Sequence, residues 1–244
     1  MSLPKIVTPE YTVQLMSVKK PVRYRPYLVK EEKIFLIAKE SKDEKDIENA
    51  VIQVIKNCTF GELDVDALPS FDLEYLFLKL RSQSVSSVAD LQYECRNTVE
   101  NSQYEDKRCH NRVDVQVPLE QIEITVSDEH SPLVTLNTGL VLEMSYPSLK
   151  TARKHSVEGE MASLSALLAD CIKTITDADG NVYEMRDYSD KERLEFVESI
   201  GLYDLKKFEQ FFTTMPTLKH VIPFKCNRCG YEEMMTLQGL AAFF

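Results

Sequence analysis

Hydrophobic residues in the N-terminal third of the chain recur at the spacing of an α-helix. Apolar side chains lie three or four residues apart between Val29 and Ser41, which predicts one helix, and between Asp43 and Asn57, which predicts a second. Ser70 is a typical N-cap for a third helix, whose apolar face would comprise Leu73, Leu76, Phe77 and Leu80. These patterns predict a helical unit over residues 31–90.

The middle of the chain changes to a period of two. The alternating stretches are Leu91–Cys95, Val113–Val117, Ile122–Val126 and Leu140–Met144. Alternation of apolar and polar residues is typical of strands that bury one face and expose the other to water. Residues 91–147 are therefore predicted to form an antiparallel β segment.

Helical spacing returns after residue 147. A buried helix is predicted at Ser163–Ile175, followed by a turn at Asp177–Asn181 and a hairpin strand at Val182–Met185. The motif Ser189-Asp190-Lys191-Glu192 is a capping box, which predicts the start of another helix. Residues 148–216 are thus predicted to be a helical unit with a hairpin.

The two ends of the chain have different characters. Residues 1–30 contain four prolines, which exclude a long helix, and several tyrosines, so they predict an extended arm laid over a neighbouring surface. Residues 217–244 predict a β segment followed by an apolar C-terminus, Leu240–Phe244. The predicted fold class is α+β, with helical N-terminal and C-terminal units joined by antiparallel β segments.

Composition narrows the class of protein. The chain has 244 residues, of which 43% are hydrophobic and 28% charged, and a formal net charge of −10. This balance is typical of a globular protein, and its acidity argues against nucleic acid as a partner. No apolar stretch approaches the roughly 20 residues that span a bilayer, and residues 1–10 lack a signal pattern, so we expect a cytoplasmic fold without a membrane partner. We interpret the short basic stretch Lys19–Arg25 as a solvated patch or a partner contact.

The most specific chemical motif is Cys226-Asn227-Arg228-Cys229-Gly230. Two cysteines separated by two residues and followed by glycine form a zinc knuckle, because the turn directs both sulfurs to one point. A structural zinc needs two more ligands. The β segment offers them at Cys95 and Cys109.

The two cysteine segments resemble each other. In each, a cysteine follows an aromatic residue and one intervening residue, and a second cysteine precedes an alternating strand. We therefore hypothesise a split zinc ribbon, with His110 as substitute if one thiol is absent, and with the ligands Cys95, Cys109, Cys226 and Cys229. A closed four-thiolate site has no position for water, so it would stabilise the fold and not hydrolyse a substrate.

Two other interpretations of these cysteines stay open. They could be reduced thiols on ordinary hairpins, or a thioredoxin-like redox pair, although that motif opens a helix and this one lies between strands. Cys58 and Cys171 stand among apolar residues, so we interpret both as core residues.

No catalytic residues are predicted. The four histidines stand in polar or turn-like sequence, with His130 interpreted as part of a solvated loop, and there is no GxSxG, GxGxxG or GxxxxGK[ST] motif. Asp177-Ala178-Asp179-Gly180 is similar to the start of a calcium loop, but its twelfth position is Tyr188 instead of glutamate. We therefore predict that the protein is not an enzyme. An enzyme built from scattered carboxylates is the remaining alternative in that class.

Several stretches resemble the hub proteins of T4-type phage baseplates. They touch both ends and the first third, and cover the middle only loosely: Leu3-Pro4-Lys5, Val22–Lys33, Ala38–Ser41, Asn57–Arg81, and Cys226-x-x-Cys229-Gly230 with Leu240 and Phe243-Phe244. The resemblance implies either a subunit of the central baseplate hub or a hub assembly factor that does not stay in the virion. Neither implies catalysis. The zinc hypothesis comes from the spacing of the cysteines and not from this resemblance.

The resemblance also implies partners and a location. These would be other baseplate or hub proteins, and the virion tail baseplate or the host cytoplasm during assembly. The alternative function is a zinc-ribbon adaptor for nucleic acid or transcription, for which Lys219, Lys225 and Arg228 provide some basic surface that Glu232 and Glu233 oppose. The oligomeric state does not follow from the sequence.

Overall fold

The structure is a computed structural model that describes residues 4, 6–41, 43–100, 103–155 and 160–239. The predicted apolar C-terminus, residues 240–244, lies outside these residues, as do Leu3 and Lys5 of the predicted arm. Within the described part of the chain there are seven α-helices: α1 (Val29–Ser41), α2 (Glu44–Cys58), α3 (Ser70–Ser84), α4 (Leu149–His155), α5 (Glu160–Cys171), α6 (Asp190–Glu198) and α7 (Leu205–Thr214).

Eleven short strands accompany the helices in the same described residues. They are β1 (Tyr11–Val13), β2 (Val22–Tyr24), β3 (Val88–Glu94), β4 (Arg112–Pro118), β5 (Ile124–Thr125), β6 (Leu133–Thr135), β7 (Val141–Met144), β8 (Ile172–Thr176), β9 (Val182–Glu184), β10 (Thr217–Lys225) and β11 (Glu232–Gln238). Every pairing between these strands is antiparallel. The predicted α+β class is confirmed.

Local signals placed several helices correctly. Helix α1 has the predicted bounds, and α2 begins one residue after Asp43, whose carboxylate accepts the N–H of Lys45 at 2.8 Å. The capping box before α6 is present, since Ser189 and Glu192 each accept a hydrogen bond from the other's backbone N–H. These contacts span three residues or fewer, so they form wherever the sequence supplies them.

One predicted helix is wrong at its C-terminal end. The helix expected over Ser163–Ile175 ends at Cys171, and Ile172–Thr176 is strand β8, which pairs with β7 and β9. The apolar run continues through the boundary, so periodicity alone does not mark it. The β-branched residues after Cys171 favour the strand once a neighbouring strand can pair with it.

The described chain forms two compact units. Unit 2 comprises Asp64–Ser70 and Val126–Pro216, and unit 1 comprises the described residues up to Leu63, Phe71–Thr125 and those from Thr217 onward. The predicted β segment therefore contributes β3–β5 to unit 1 and β6–β7 to unit 2. The five-part division made from sequence patterns stays a prediction.

Unit 2 is built on a four-stranded antiparallel sheet in the order β6-β7-β8-β9. Helices α5, α6 and α7 supply the rest of its core. The buried residues are Val134, Leu136, Leu142, Met144, Leu168, Ala169, Cys171, Ile172, Ile175, Met185, Val197, Phe208 and Phe211. Burial of this apolar surface is the main stabilising term for the unit.

Unit 1 contains two long β-hairpins that come from distant parts of the chain. Strand β3 pairs with β4 from Val88↔Pro118 to Glu94↔Arg112, and β10 pairs with β11 from Lys219↔Gln238 to Lys225↔Glu232. Strand β5 pairs with β10 at Thr125↔Thr217, where the chain leaves unit 1 and where it returns. Unit 2 is thus largely an insertion whose two ends are held side by side in a sheet.

The N-terminal arm is tied to unit 1 by a buried carboxylate. Asp72 of α3 has no exposed surface, and it accepts the backbone N–H groups of Met16 at 2.9 Å and Ser17 at 2.8 Å. The neighbouring Leu15 is fully buried. Backbone groups of the arm are therefore satisfied by its own unit, which holds this part of the arm in one conformation.

A second buried carboxylate holds the arm where it enters α1. Glu31 is fully buried and accepts hydrogen bonds from Arg25 Nη2 at 3.0 Å and from the N–H of Leu28 at 2.9 Å. Burial by itself would raise the pKa of Glu31, but the hydrogen bonds from Arg25 and Leu28 outweigh it and hold that pKa below its usual value of 4.5. The charged pair therefore stabilises the fold only while Glu31 is ionised.

We predict that Arg25→Met destabilises the protein by about 3–5 kcal/mol at neutral pH, because it leaves the buried Glu31 carboxylate without its cation. The contribution of Glu31 is present above its unfolded pKa and is lost as the pH falls through its lower folded pKa. The difference between variant and wild type should therefore shrink below about pH 4. Urea unfolding at several pH values measures this difference.

Lys30→Met is the matched control. Lys30 contacts the same Glu31 oxygen at 3.4 Å, but its side chain is 69% exposed, so the change should cost less than about 1 kcal/mol. Equal losses for the two variants, or an Arg25→Met effect that does not depend on pH, would contradict the role given to the buried pair.

Candidate metal centre

The four predicted cysteine ligands lie where the two long hairpins of unit 1 end. Cys95 follows the last residue of β3, and Cys109 stands three residues before β4. Cys226 follows the last residue of β10, and Cys229 lies in the turn before β11. Each hairpin therefore contributes one thiol at a strand end and one in the returning turn.

Both turns use the same backbone hydrogen bonds. The N–H of Cys95 donates to the carbonyl of Asn111, and the N–H of Cys226 donates to the carbonyl of Tyr231; each acceptor stands two residues after the second cysteine. The residue directly after the second cysteine, His110 or Gly230, donates its N–H to the carbonyl of the first cysteine. The similarity noted between the two sequence segments is therefore a similarity of structure, and residues 96–108 extend one of the turns.

His110 has a role that sequence reasoning missed. It occupies the left-handed conformation with φ of 52°, at the position where the second turn has Gly230 with φ of 75°. Both ring nitrogens are engaged, Nδ1 with Glu94 and Nε2 with Asp106 at 2.8 Å, and these bonds raise the pKa of His110. The alignment of Cys109-His110 with Cys229-Gly230 was the signal that could have identified this position.

The four sulfur atoms form one compact group. All four lie within 4.8 Å of one another, with Cys95 Sγ 3.7 Å from Cys229 Sγ and Cys109 Sγ 3.8 Å from Cys226 Sγ. Thiolates bound to zinc at about 2.3 Å in a tetrahedron lie about 3.8 Å apart. These separations are far longer than the roughly 2.05 Å of a disulfide, so the four cysteines are free thiols in an arrangement that could hold a metal ion.

Burial and backbone N–H groups set the protonation of the cluster in opposite directions. Burial raises the pKa of Cys95 to about 12. Burial also opposes ionisation of Cys226, but the backbone N–H groups of Cys229 and Arg228 outweigh it and lower the pKa of Cys226 to about 6. The turn that carries Cys226 is thus organised to hold a thiolate.

Two asparagines connect the sulfurs across the hairpins, and no pattern in the sequence singled them out. Asn97 donates its backbone N–H to Cys95 and its side-chain amide to Cys229 Sγ at 3.7 Å. Asn111 does the same for Cys109 and, at 3.5 Å, for Cys226. Such N–H···S contacts orient thiolates and compensate their negative charge, as outer-shell groups do at metal sites.

The remaining cysteines lie apart from this group. Cys58 and Cys171 are both buried, as predicted, and burial raises their pKa values to about 11 and about 12. Thiols with such pKa values stay protonated and are poor nucleophiles and poor metal ligands. The cluster of four is the group of His, Cys, Asp or Glu residues that could hold a metal ion in the described part of the chain.

Two histidines differ from their predicted polar or turn-like environment. His155 is buried in α4, where its Nε2 contacts Asp170 Oδ2 at 2.9 Å. His130 is half-buried instead of lying on a solvated loop, because it stacks with Tyr146 and contacts Phe211 in unit 2. Its ring nitrogens bond Thr214 Oγ1 and Tyr146 Oη, both at 3.0 Å, and burial lowers its pKa. These partners give it a packing role.

Asp177 is part of a hairpin turn, as the sequence predicted after its match to a calcium loop failed. Its carboxylate accepts N–H groups of Asp179 and Asn181 and the hydroxyl of Tyr183, which shapes the turn between β8 and β9.

Among the described residues, no helix has both the length and the apolar composition that crossing a membrane requires.

The chain matches a family model described as T4 bacteriophage base plate protein over residues 8–244. The match covers almost the whole chain, so the protein belongs to this family of structural phage proteins. The resemblance seen in the sequence is thereby confirmed at the level of the baseplate, which lies in the virion tail and brings the chain together with other baseplate proteins. No curated protein and no solved structure matches the chain.

We predict that His110→Gly leaves metal binding intact, because the imidazole bonds carboxylates and glycine suits the left-handed backbone. Cys109→Ala should instead weaken binding by more than about 100-fold, the upper end of what the loss of an outer-shell partner costs. Titration of the reduced protein with Co²⁺, followed by thiolate-to-cobalt absorption, measures both effects. A histidine variant that loses the tetrahedral absorption would place His110 among the ligands.

Proposed function

We propose that this protein is a non-catalytic structural or assembly protein of the central hub of a T4-like baseplate, and that one zinc ion held by Cys95, Cys109, Cys226 and Cys229 stabilises its unit 1. The family match over residues 8–244 carries the first half of the proposal. The spacing of the four sulfurs carries the second half. The hub, instead of another part of the baseplate, is favoured by the N-terminal resemblance to hub proteins.

Zinc is the ion that best suits the donor set. Four sulfurs in a tetrahedral arrangement favour zinc or an iron–sulfur centre, and the knuckle spacing of Cys226 and Cys229 is typical of structural zinc. Three of the four thiols are buried, which leaves little room for a water ligand. A closed site of this kind supports a role in folding and not in hydrolysis.

The ion would connect distant parts of the chain that are otherwise joined by packing and by a few side-chain hydrogen bonds. Cys95 and Cys229 are 134 residues apart, and each close sulfur pair takes one thiol from either hairpin. Since an unfolded chain does not hold the four thiols together, the free energy of zinc binding contributes directly to folding. Such a unit would be rigid where it meets other subunits.

The surface near the knuckle favours a protein partner over nucleic acid. Lys225 forms an ion pair with Glu232 at 2.5 Å, so part of the basic surface considered for a nucleic-acid adaptor is neutralised. The chain carries a net charge of −10, which repels a polyanion. We therefore propose other baseplate or hub proteins as partners, in the virion tail or in the host cytoplasm during assembly.

Protein purified without chelator should contain one zinc per chain, measured by plasma mass spectrometry. Cys226→Ser with Cys229→Ser should abolish the zinc and lower stability by at least about 3 kcal/mol, because folding loses the binding free energy of the ion. At about 2–4 °C per kcal/mol for a chain of this size, the melting temperature should fall by roughly 6–12 °C.

Cys171→Ala is the matched control, since it removes a buried thiol of unit 2 that lies outside the cluster. It should keep one zinc per chain. Protein without metal, or a cysteine double variant of unchanged stability, would contradict structural zinc. If the purified protein contained iron in place of zinc, the four-cysteine site would be supported and the identity of the ion would be corrected.

The hub role predicts a specific assembly defect. A phage with an early stop codon in this gene should produce no complete baseplate hubs and no infectious tails in a host that does not suppress the codon. A plasmid copy of the wild-type gene should restore both. Electron microscopy of lysates measures the result, and intact hubs in the mutant lysate would refute the role.

Quantitative mass spectrometry of purified virions distinguishes the two forms of this proposal. A fixed number of copies per tail is expected of a hub subunit, and absence from virions, with a requirement for assembly, is expected of an assembly factor.

The Cys226→Ser, Cys229→Ser variant tests the link between the two halves of the proposal, because it should complement poorly at raised temperature if zinc stabilises the functional fold.

A further inference from the structure

The loop between β1 and β2 presents two lysines that no carboxylate of the described chain neutralises. Lys19 and Lys20 are exposed and form no ion pair there, whereas the nearby Arg23 pairs with Glu62 at 2.5 Å and with Glu10 at 3.7 Å. The protein has a net charge of −10, so two neighbouring lysines without ion-pair partners make a local patch of positive charge. Such a positive patch attracts acidic groups at close range.

These lysines lie on a loop whose backbone is held in place by hydrogen bonds. Buried Asp72 accepts the N–H groups of Met16 and Ser17, and Gln14 Nε2 donates to the carbonyl of Val18. A ligand therefore need not order the loop backbone when it binds, which reduces the entropic cost of association.

The loop borders a groove of about 440 Å³ in unit 1. Apolar side chains line much of it, among them Val18, Pro21 and Leu63, and its charged lining consists of the three basic residues of the loop and β2 and one acid, Glu62. Since Glu62 is already paired with Arg23, the free charge of the groove is that of the two lysines. A matching ligand would carry carboxylates next to an apolar side chain.

Two exposed apolar residues stand next to the groove lining: Met16 lies two residues before Val18 in the chain, and Phe60 contacts Arg23. Met16 is 51% exposed, and Phe60 is 43% exposed although it adopts the left-handed conformation, with φ of 58°, that disfavours bulky residues. The guanidinium of Arg23 lies 5.6 Å from the centre of the Phe60 ring. Methionine, aromatic and arginine side chains are enriched in protein interfaces.

We propose that this surface, comprising Met16, Val18, Lys19, Lys20, Phe60 and Leu63, is a docking site for an acidic segment of another protein, with carboxylates on the two lysines and an apolar side chain in the groove. A long polyanion such as DNA fits less well, because two lysines offer little phosphate neutralisation on an acidic protein. A second copy of this chain would bring another charge of −10. The proposal is independent of the zinc ion.

The test uses the full chain in bacteria infected with the phage that encodes it. The photo-crosslinking residue p-benzoylphenylalanine replaces Met16, and mass spectrometry locates the segment to which it is joined after irradiation. We expect a segment of another baseplate protein in which Asp or Glu residues flank an apolar residue. Lys19→Glu with Lys20→Glu should lower the yield roughly tenfold, because attraction becomes repulsion.

Lys191→Glu with Lys206→Glu is the matched control, since it changes the net charge equally at exposed positions of unit 2. It should leave the yield unchanged, and thermal melting should show all variants folded. Cross-links to DNA, to another copy of this chain or to a segment without carboxylates would overturn the proposal. So would the absence of a cross-link, or a yield that does not respond to reversal of the two lysines.

Discussion

The convergence of four thiols at the ends of two hairpins is the constraint on which unit 1 depends. Strands β3 and β4 are separated in the chain from strands β10 and β11 by Val126–Pro216, the larger part of unit 2. The turns of the two hairpins nevertheless meet, with sulfur atoms 3.7 and 3.8 Å apart. Packed thiols alone would supply little cohesion at such a junction. A shared metal ion would turn the junction into a cross-link between the middle and last thirds of the chain.

The same unit also has to hold an arm that contains little regular structure of its own. Two buried carboxylates, Asp72 and Glu31, accept backbone N–H groups of the arm, and Glu31 adds a charged partner in Arg25. Buried charges without such partners would be costly, so the arm and the helices stabilise one another. The exposed loop between β1 and β2 inherits its rigidity from this arrangement.

These features agree with the family to which the chain belongs. A baseplate protein has neighbours in the virion tail, and a fixed surface suits contacts with them. Three of the four cysteines in the cluster are buried, and the side chains of His110 and His130 are held by hydrogen bonds. These contacts contribute to the stability of the fold.

The sequence by itself determined the elements whose signals are local. The capping box at Ser189, the helical period over Val29–Ser41 and the two-residue period of the strands act within a few residues, and the structure has these elements where the patterns predicted. The similarity of the two cysteine turns could also be recognised in the sequence, because the hydrogen bonds that form each turn lie within that turn. The choice of these four cysteines followed from that similarity.

Only the tertiary structure decided which segments meet. The end of the helix before β8 depended on a strand partner, because the apolar run at Cys171 and Ile172 suits either conformation. The assignment of the β segment to two units, the N–H···S contacts of Asn97 and Asn111, and the burial of Asp72 all join residues far apart in the chain. Contacts of that range follow from the packing of whole elements, and no local pattern encodes them.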